Sequence, residues 1–195
     1  MKKMRVVMLF LVLFYSCSLF AAGSQKSVIF NGQTLNLTCT AKTDGKETME
    51  YIPAGQRIQD FERKLTLCYY PSMTITAAEH GAVLKSAVKE RLKSGDPVAS
   101  AQVMNLGYAH NNEAAVYIVR SYDDFGKYEK SIVYVKKMLN GIMTAEFSRR
   151  YTVKNPADSG VEKFDEEFFK QEEKYLAALR TAKWPLPAEQ QENKQ

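Results

Sequence analysis

Apolar and polar residues alternate along most of this chain with the two-residue period of β-strands. Within residues 34–40, for example, Leu35, Leu37 and Cys39 face one way, while the polar residues between them face the other. Short turn signals such as Asn31 with Gly32 separate the alternating segments and favour antiparallel neighbours. The pattern predicts an antiparallel sheet of about six to seven strands, drawn from residues 28–30, 34–40, 48–52, 65–70, 101–106, 114–122, 128–137 and 142–151.

Two segments change to the period of an α-helix. Residues 76–93 begin with a capping-box pattern, in which Thr76 is followed three residues later by Glu79. The last helix follows the same pattern at Ser159 and Glu162, and its apolar stripe continues to Ala182. Two amphipathic helices packed on an antiparallel sheet predict an α+β sandwich.

The order of these elements, with residues 49–55 ahead of the first helix, resembles small exported bacterial proteins of uncharacterised function. It also resembles the PsbP-like α/β/α sandwich, which includes DcrB-like periplasmic proteins. The resemblance spans most of residues 28–184 and implies a PsbP-like fold, whose members mostly act as binding or assembly factors. It carries over no functional residue, because no site motif is matched.

The amino terminus has the composition of a secretory signal peptide. Lys2, Lys3 and Arg5 precede an apolar run over residues 6–20, and small residues follow at 21–23. The apolar run is shorter than a permanent membrane-spanning helix requires. We therefore expect cleavage near Ser24 and a mature protein that is periplasmic or secreted.

This interpretation divides the chain into three parts. We expect a signal peptide over residues 1–23, a single α+β domain over 24–185 and a disordered polar tail over 186–195. No membrane-spanning segment is expected after removal of the signal. The alternative location is the membrane surface, as a lipoprotein anchored at Cys17. However, Phe14 and Tyr15 occupy positions where lipoprotein signals carry small or aliphatic residues.

The charge of the mature chain excludes a general affinity for nucleic acid. Loss of the signal reduces the 27 basic residues to 24 against 22 acidic residues, so the net charge falls from +5 to +2. A protein that binds nucleic acid through its phosphates needs a clustered basic face. We therefore expect no nucleic-acid partner.

Cys39 and Cys68 remain as an even pair of cysteines in the mature chain. In an oxidising compartment they form a disulfide if their strands are neighbours, and this bridge is a candidate feature of the domain. The alternative is a pair of buried free thiols, and the sequence leaves both readings open.

Common catalytic and metal-binding motifs are absent from the sequence. It contains no HExxH, no GxSxG, no Walker loop and no GxGxxG, and its only histidines are His80 and His110. We therefore predict no catalytic residue, no metal ligand set and no cofactor.

Arginine and tyrosine residues near the ends of two predicted strands suggest an interaction surface, because both residue types are common in protein interfaces. The alternative is that they are sheet-face residues favoured by β propensity. The candidate surface consists of Arg120, Tyr122, Arg149, Arg150 and Tyr151.

The leading hypothesis is an exported, non-enzymatic domain that binds a protein or a cell-envelope component. One alternative is a periplasmic or secreted hydrolase with a non-standard site, in which His80, His110 or a carboxylate pair meets a nucleophile in a deep cleft. A secreted effector is the other alternative, and it leaves no distinguishing mark in the sequence.

Overall fold

A computed structural model of the chain describes residues 26–43, 45–95, 99–105, 112–122, 126–153 and 159–185. The predicted signal peptide, the tail and His110 lie outside these residues. Two helices are described, α1 (Ala77–Lys93) and α2 (Gly160–Thr181). The described strands are β1 (Ser27–Phe30), β2 (Gln33–Thr43), β3 (Lys46–Ile52), β4 (Arg63–Pro71), β5 (Ser100–Asn105), β6 (Glu113–Tyr122), β7 (Lys127–Met138) and β8 (Gly141–Thr152).

The strands form one antiparallel sheet in the order β1-β2-β3-β4-β8-β7-β6-β5. The α+β prediction is confirmed at this level, with one sheet and two helices in the described ranges. The expected count of six to seven strands is wrong, because the sheet has eight. Even the short β1 pairs along its whole length with β2, from Ser27 opposite Asn36 to Phe30 opposite Gln33.

The face of the sheet under α2 carries the larger hydrophobic core. Alternate residues of the central strands point to this face, among them Leu65 and Leu67 of β4 and Phe147 of β8. Phe168 and Tyr175 of α2 pack against them, and the rings of Phe147 and Tyr175 are 4.7 Å apart. This core joins α2 to one face of the sheet, and the opposite face is left for α1.

Helix α1 packs on that opposite face, over β5, β6 and β7. Its predicted capping box is confirmed, since the Glu79 amide donates to Thr76 Oγ1 at 3.1 Å and the Thr76 amide donates to Glu79 Oε2 at 2.8 Å. The box predicted at Ser159 is wrong, because that residue has a helical backbone and makes no side-chain cap bond.

Gly81 brings α1 close to the sheet. A Cβ atom at this position would lie 3.1 Å from Val103 and 3.4 Å from Val116. The axis of α1 is therefore held near β5 and β6. The helix does not cover the half of this sheet face that is farther from β5 and β6.

Candidate binding groove

A cavity of about 800 Å³ lies on the half of the α1 face that the helix leaves open. Leu84 of α1 forms one wall, and residues 56–59, which follow β3, form another. We call this cavity the groove. Its floor carries Thr48, Glu50, Lys64, Thr66, Thr144 and Glu146.

Cross-strand pairing places the floor residues side by side. Glu50 of β3 is opposite Thr66 of β4, which is opposite Glu146 of β8. Residues that are directly opposite in a sheet point to the same face. The next row on that face contains Thr48, Cys68 and Thr144.

The floor carboxylates are paired with cations. Lys64 Nζ lies 3.1 Å from Glu50 Oε1, and Arg120 Nη1 lies 3.1 Å from Glu146 Oε1. Burial opposes ionisation of Glu146, but Arg120 and Lys64 outweigh it and hold the pKa of this carboxyl below its ordinary value. The floor is thus a set of fixed charges that balance one another.

A second layer of contacts holds Arg120 in place. Arg120 Nη1 is also 2.8 Å from Glu129 Oε1, while Glu129 Oε2 accepts from Arg150 Nη2 at 2.7 Å. The side chain of Glu129 is only 3% exposed. Arg120, Glu129 and Arg150 are therefore a chain of charge-assisted hydrogen bonds beneath one end of the groove.

Arg150 also anchors the wall formed by residues 56–59. Its guanidinium carbon lies 3.8 Å from the centre of the Phe61 ring, and its Nη1 donates to the Gln59 carbonyl at 3.0 Å. Lys127 Nζ donates to the same carbonyl at 2.6 Å. These contacts fix the wall relative to the floor.

Three titratable groups line the other end of the groove, and a fourth, His80, contacts one of them. Lys46 Nζ is 5.7 Å from the centre of the Tyr70 ring, and Tyr70 packs against His80 with ring centres 4.7 Å apart. Burial raises the pKa of the Tyr70 hydroxyl and of the Cys68 thiol. Burial and the nearby Lys46 lower the pKa of His80. A thiol with a raised pKa stays protonated and is a poor nucleophile.

The structure does not form the candidate bridge between Cys39 and Cys68, since Cys68 is a buried free thiol. Cys39 lies on β2 and Cys68 on β4, with β3 between them. Two strand spacings amount to about 9.5 Å, beyond the reach of a disulfide. Cys68 Sγ instead lies 3.7 Å from Thr48 Oγ1.

The predicted arginine and tyrosine surface is divided between the two faces of the sheet. Arg120 and Arg150 both pair with Glu129 on the α1 face. Arg149 and Tyr151 lie on the α2 face and contact Phe164, at 5.2 Å and 5.8 Å from its ring centre. Tyr122 ends β6 opposite Lys127. Arg120 and Arg150 are therefore separated by the sheet from Arg149 and Tyr151.

His80 does not meet a nucleophile in a cleft. His80 is 3% exposed, and neither ring nitrogen has a hydrogen-bond partner among the residues that the structure describes. Across the described ranges, no three His, Cys, Asp or Glu side chains are grouped so that they could hold a metal ion.

Sequence reasoning missed the groove residues, although a signal for them exists. Thr48 and Glu50, Lys64 and Thr66, and Thr144 and Glu146 are polar pairs at alternate positions of strands whose other face is apolar. The pattern indicates one polar face on three strands. It does not indicate that α1 stops short of that face.

One family model matches residues 22–184 of the chain. The chain belongs to that protein family, which is uncharacterised. No curated protein matches the chain. Neither helix in the described part of the chain combines the length and apolarity needed to cross a bilayer.

Proposed function

We propose that this chain is an exported, non-enzymatic binding domain and that the groove holds its ligand. The partner is a protein or a component of the cell envelope. The groove carries this proposal, because its volume of about 800 Å³ suits a bound molecule and its polar floor is already organised.

Preorganisation of the floor supports binding. The ion pairs of Glu50 with Lys64 and of Glu146 with Arg120 hold the floor side chains in one arrangement before a ligand arrives. A site that is ordered in advance loses less conformational entropy when it binds.

The same contacts argue against a hydrolase in the groove. A carboxyl whose pKa is lowered, as in Glu146, is a weak proton donor for general acid catalysis. The Cys68 thiol has its pKa raised by burial, which disfavours the thiolate that a nucleophilic cysteine requires.

Export and the finer fold assignment belong to the same proposal. The basic and apolar character of residues 1–23 supports a signal peptide and a periplasmic or secreted address. Helices on opposite faces of an antiparallel sheet support a PsbP-like sandwich. A role as a binding or assembly factor would be in keeping with that resemblance.

Site-specific photocrosslinking in cells that produce the protein tests the proposal. A photoreactive amino acid replaces Thr38, an exposed β2 residue that lines the groove. The matched control replaces Thr34, an exposed residue on the same strand outside the groove. We expect a discrete crosslinked product from position 38 and none from position 34. Equal products from both positions, or no product from position 38, would contradict a ligand in the groove.

A further inference from the structure

We propose that the ligand of the groove is a neutral, hydroxyl-rich molecule, namely a saccharide of the kind that builds glycans. This inference rests on the proposed function, since it names the chemical class that the same groove would bind. Three features of the lining support it: its charge balance, its hydrogen-bonding groups and its position on a face of the sheet.

The charge balance of the floor favours a neutral ligand. Glu50 is paired with Lys64, and Glu146 is paired with Arg120. Their side chains are between 17% and 22% exposed, so water screens them only in part. A charged ligand would have to break one of these pairs or place its own charge there without a partner, and both are unfavourable.

The hydrogen-bonding groups of the floor suit hydroxyls. A carboxylate accepts several hydrogen bonds, an ammonium donates three, and a threonine hydroxyl does both. A sugar hydroxyl can therefore donate to Glu50 and accept from Lys64 without separating them. Thr48, half-buried in the next row of the floor, offers a further hydroxyl.

The position of these groups distinguishes a saccharide from a peptide strand. Extended peptides commonly bind by adding to the edge of a sheet, where backbone groups are exposed. The groove instead presents side chains that rise from the face of β3, β4 and β8. Leu84, half-buried on the α1 side, offers apolar contact for the C–H groups of a sugar ring.

Lys46 provides the sharpest test of the charge argument. No carboxylate within the described ranges pairs with Lys46, which lies at the groove end beside Tyr70. If this lysine dominated recognition, an anionic sugar would bind more tightly than a neutral one. The balanced floor predicts the opposite order.

Sugar titrations followed by NMR of the Thr48, Thr66 and Thr144 methyl groups test the inference in the folded, full-length mature protein. The neutral probes are glucose, galactose and N-acetylglucosamine, and the charged analogues are glucuronate and glucosamine. We expect saturable shifts of these methyl signals with at least one neutral sugar, and binding at least about tenfold weaker for both charged analogues. Absence of shifts with all three neutral sugars, or equal or tighter binding of a charged analogue, would overturn the inference.

A matched pair of variants assigns the binding to the groove. Thr48→Val removes a floor hydroxyl while keeping a β-branched side chain, and Thr34→Val makes the same change at an exposed position outside the groove. We expect a loss of sugar affinity only in Thr48→Val, whose fold is checked in the same spectra. Unchanged affinity in Thr48→Val would contradict a sugar site at the floor.

The two proposals fail in different ways. A product crosslinked from position 38, together with no response to neutral sugars, overturns the saccharide and leaves a groove ligand of another class. Absence of both signals overturns the groove as a binding site.

Discussion

Arg120 and Glu146 form an ion pair across a strand that lies between them. Arg120 is on β6 and Glu146 is on β8, with β7 in the middle, yet Arg120 Nη1 and Glu146 Oε1 are 3.1 Å apart. Glu129 of β7 accepts from the same arginine nitrogen at 2.8 Å. One arginine thus joins the groove floor to the part of the sheet beneath α1.

Removing this arginine should destabilise the protein. Arg120→Met leaves the carboxylates of Glu129 and Glu146 without a cation that both share. We expect the free energy of unfolding to fall by about 2–3 kcal/mol, somewhat less than for fully buried pairs. Urea unfolding at neutral pH measures this loss.

The matched control is Arg57→Met, because Arg57 also pairs with a carboxylate but its side chain is 80% exposed. Exposed pairs contribute about 0–1 kcal/mol. A loss in Arg120→Met no larger than that of the control would show that the pair with Glu146 is not structural.

The lowered pKa of Glu146 predicts a loss of stability in acid. Because the folded pKa lies below the ordinary value of 4.5, the contribution of the ionised carboxylate is complete above that pH. It is lost as the pH falls through the lower folded value. Glu146→Gln should therefore be less stable than the wild type at pH 7 and differ little from it in strong acid.

Unfolding free energies at pH 7, pH 5 and pH 3 test this convergence. Glu166→Gln is the control, since Glu166 is 72% exposed and its pair with Lys170 spans 3.7 Å. A gap between the wild type and Glu146→Gln that stays constant across the three pH values would argue against an ionised, stabilising Glu146.

Most of the sheet could be predicted from the sequence, whereas the groove could not. Alternation is a local property, so segments such as residues 142–151 were placed almost where β8 is found. The expected count of six to seven was too low, although each of the eight strands overlaps one of the predicted segments, including residues 28–30 for β1.

The groove depends on relationships between distant segments. The contact of Arg120 with Glu146 requires the pairing of three strands, and local patterns do not specify it. The candidate surface has a local weakness instead, because Arg149 and Arg150 are adjacent on β8 and the two-residue period of a strand points them to opposite faces. The choice between a Cys39–Cys68 bridge and free thiols, which the sequence left open, also depends on distant segments, since β3 lies between the two strands.

Gly141 is expected to be essential for the turn between β7 and β8. It has a φ of +150°, and a Cβ atom there would overlap the backbone carbonyl oxygen of Tyr70. Gly141→Ala should lower the free energy of unfolding by at least about 3 kcal/mol, because the backbone of β4 cannot move aside cheaply.

Gly32→Ala is the control for conformational strain alone. Gly32 has a φ of +77°, and nothing lies within 4 Å of its added Cβ. We expect a loss of about 1 kcal/mol there. Similar losses in the two variants, measured by urea unfolding, would mean that the close approach of Gly141 to Tyr70 contributes nothing.

Cys68 should react with alkylating reagents only when the protein unfolds. The thiol is buried and its pKa is raised by burial, so both access and the thiolate fraction are low. We expect iodoacetamide to label Cys68 in denaturant without any reductant, and to leave it unlabelled in the native protein. Peptide mass spectrometry gives the result. A peptide pair linked through Cys39 and Cys68 would contradict the free thiol.

His80 should make the protein less stable in mild acid. The residue is 3% exposed, its ring nitrogens have no hydrogen-bond partner in the described part of the chain, and burial together with Lys46 lowers its pKa. The unfolded chain therefore binds a proton more readily than the folded one. The stability that depends on neutral His80 is complete above the ordinary value of 6.5 and declines as the pH falls towards the lower folded pKa.

His80→Leu removes both the unpaired nitrogens and the titration. We expect it to raise the free energy of unfolding by about 1 kcal/mol at pH 7, and by more at pH 5. Urea unfolding at both pH values measures the difference, and His110→Gln reports what the second histidine contributes. A pH dependence that persists in His80→Leu and disappears in His110→Gln would assign the effect to His110 and refute a role for the buried ring.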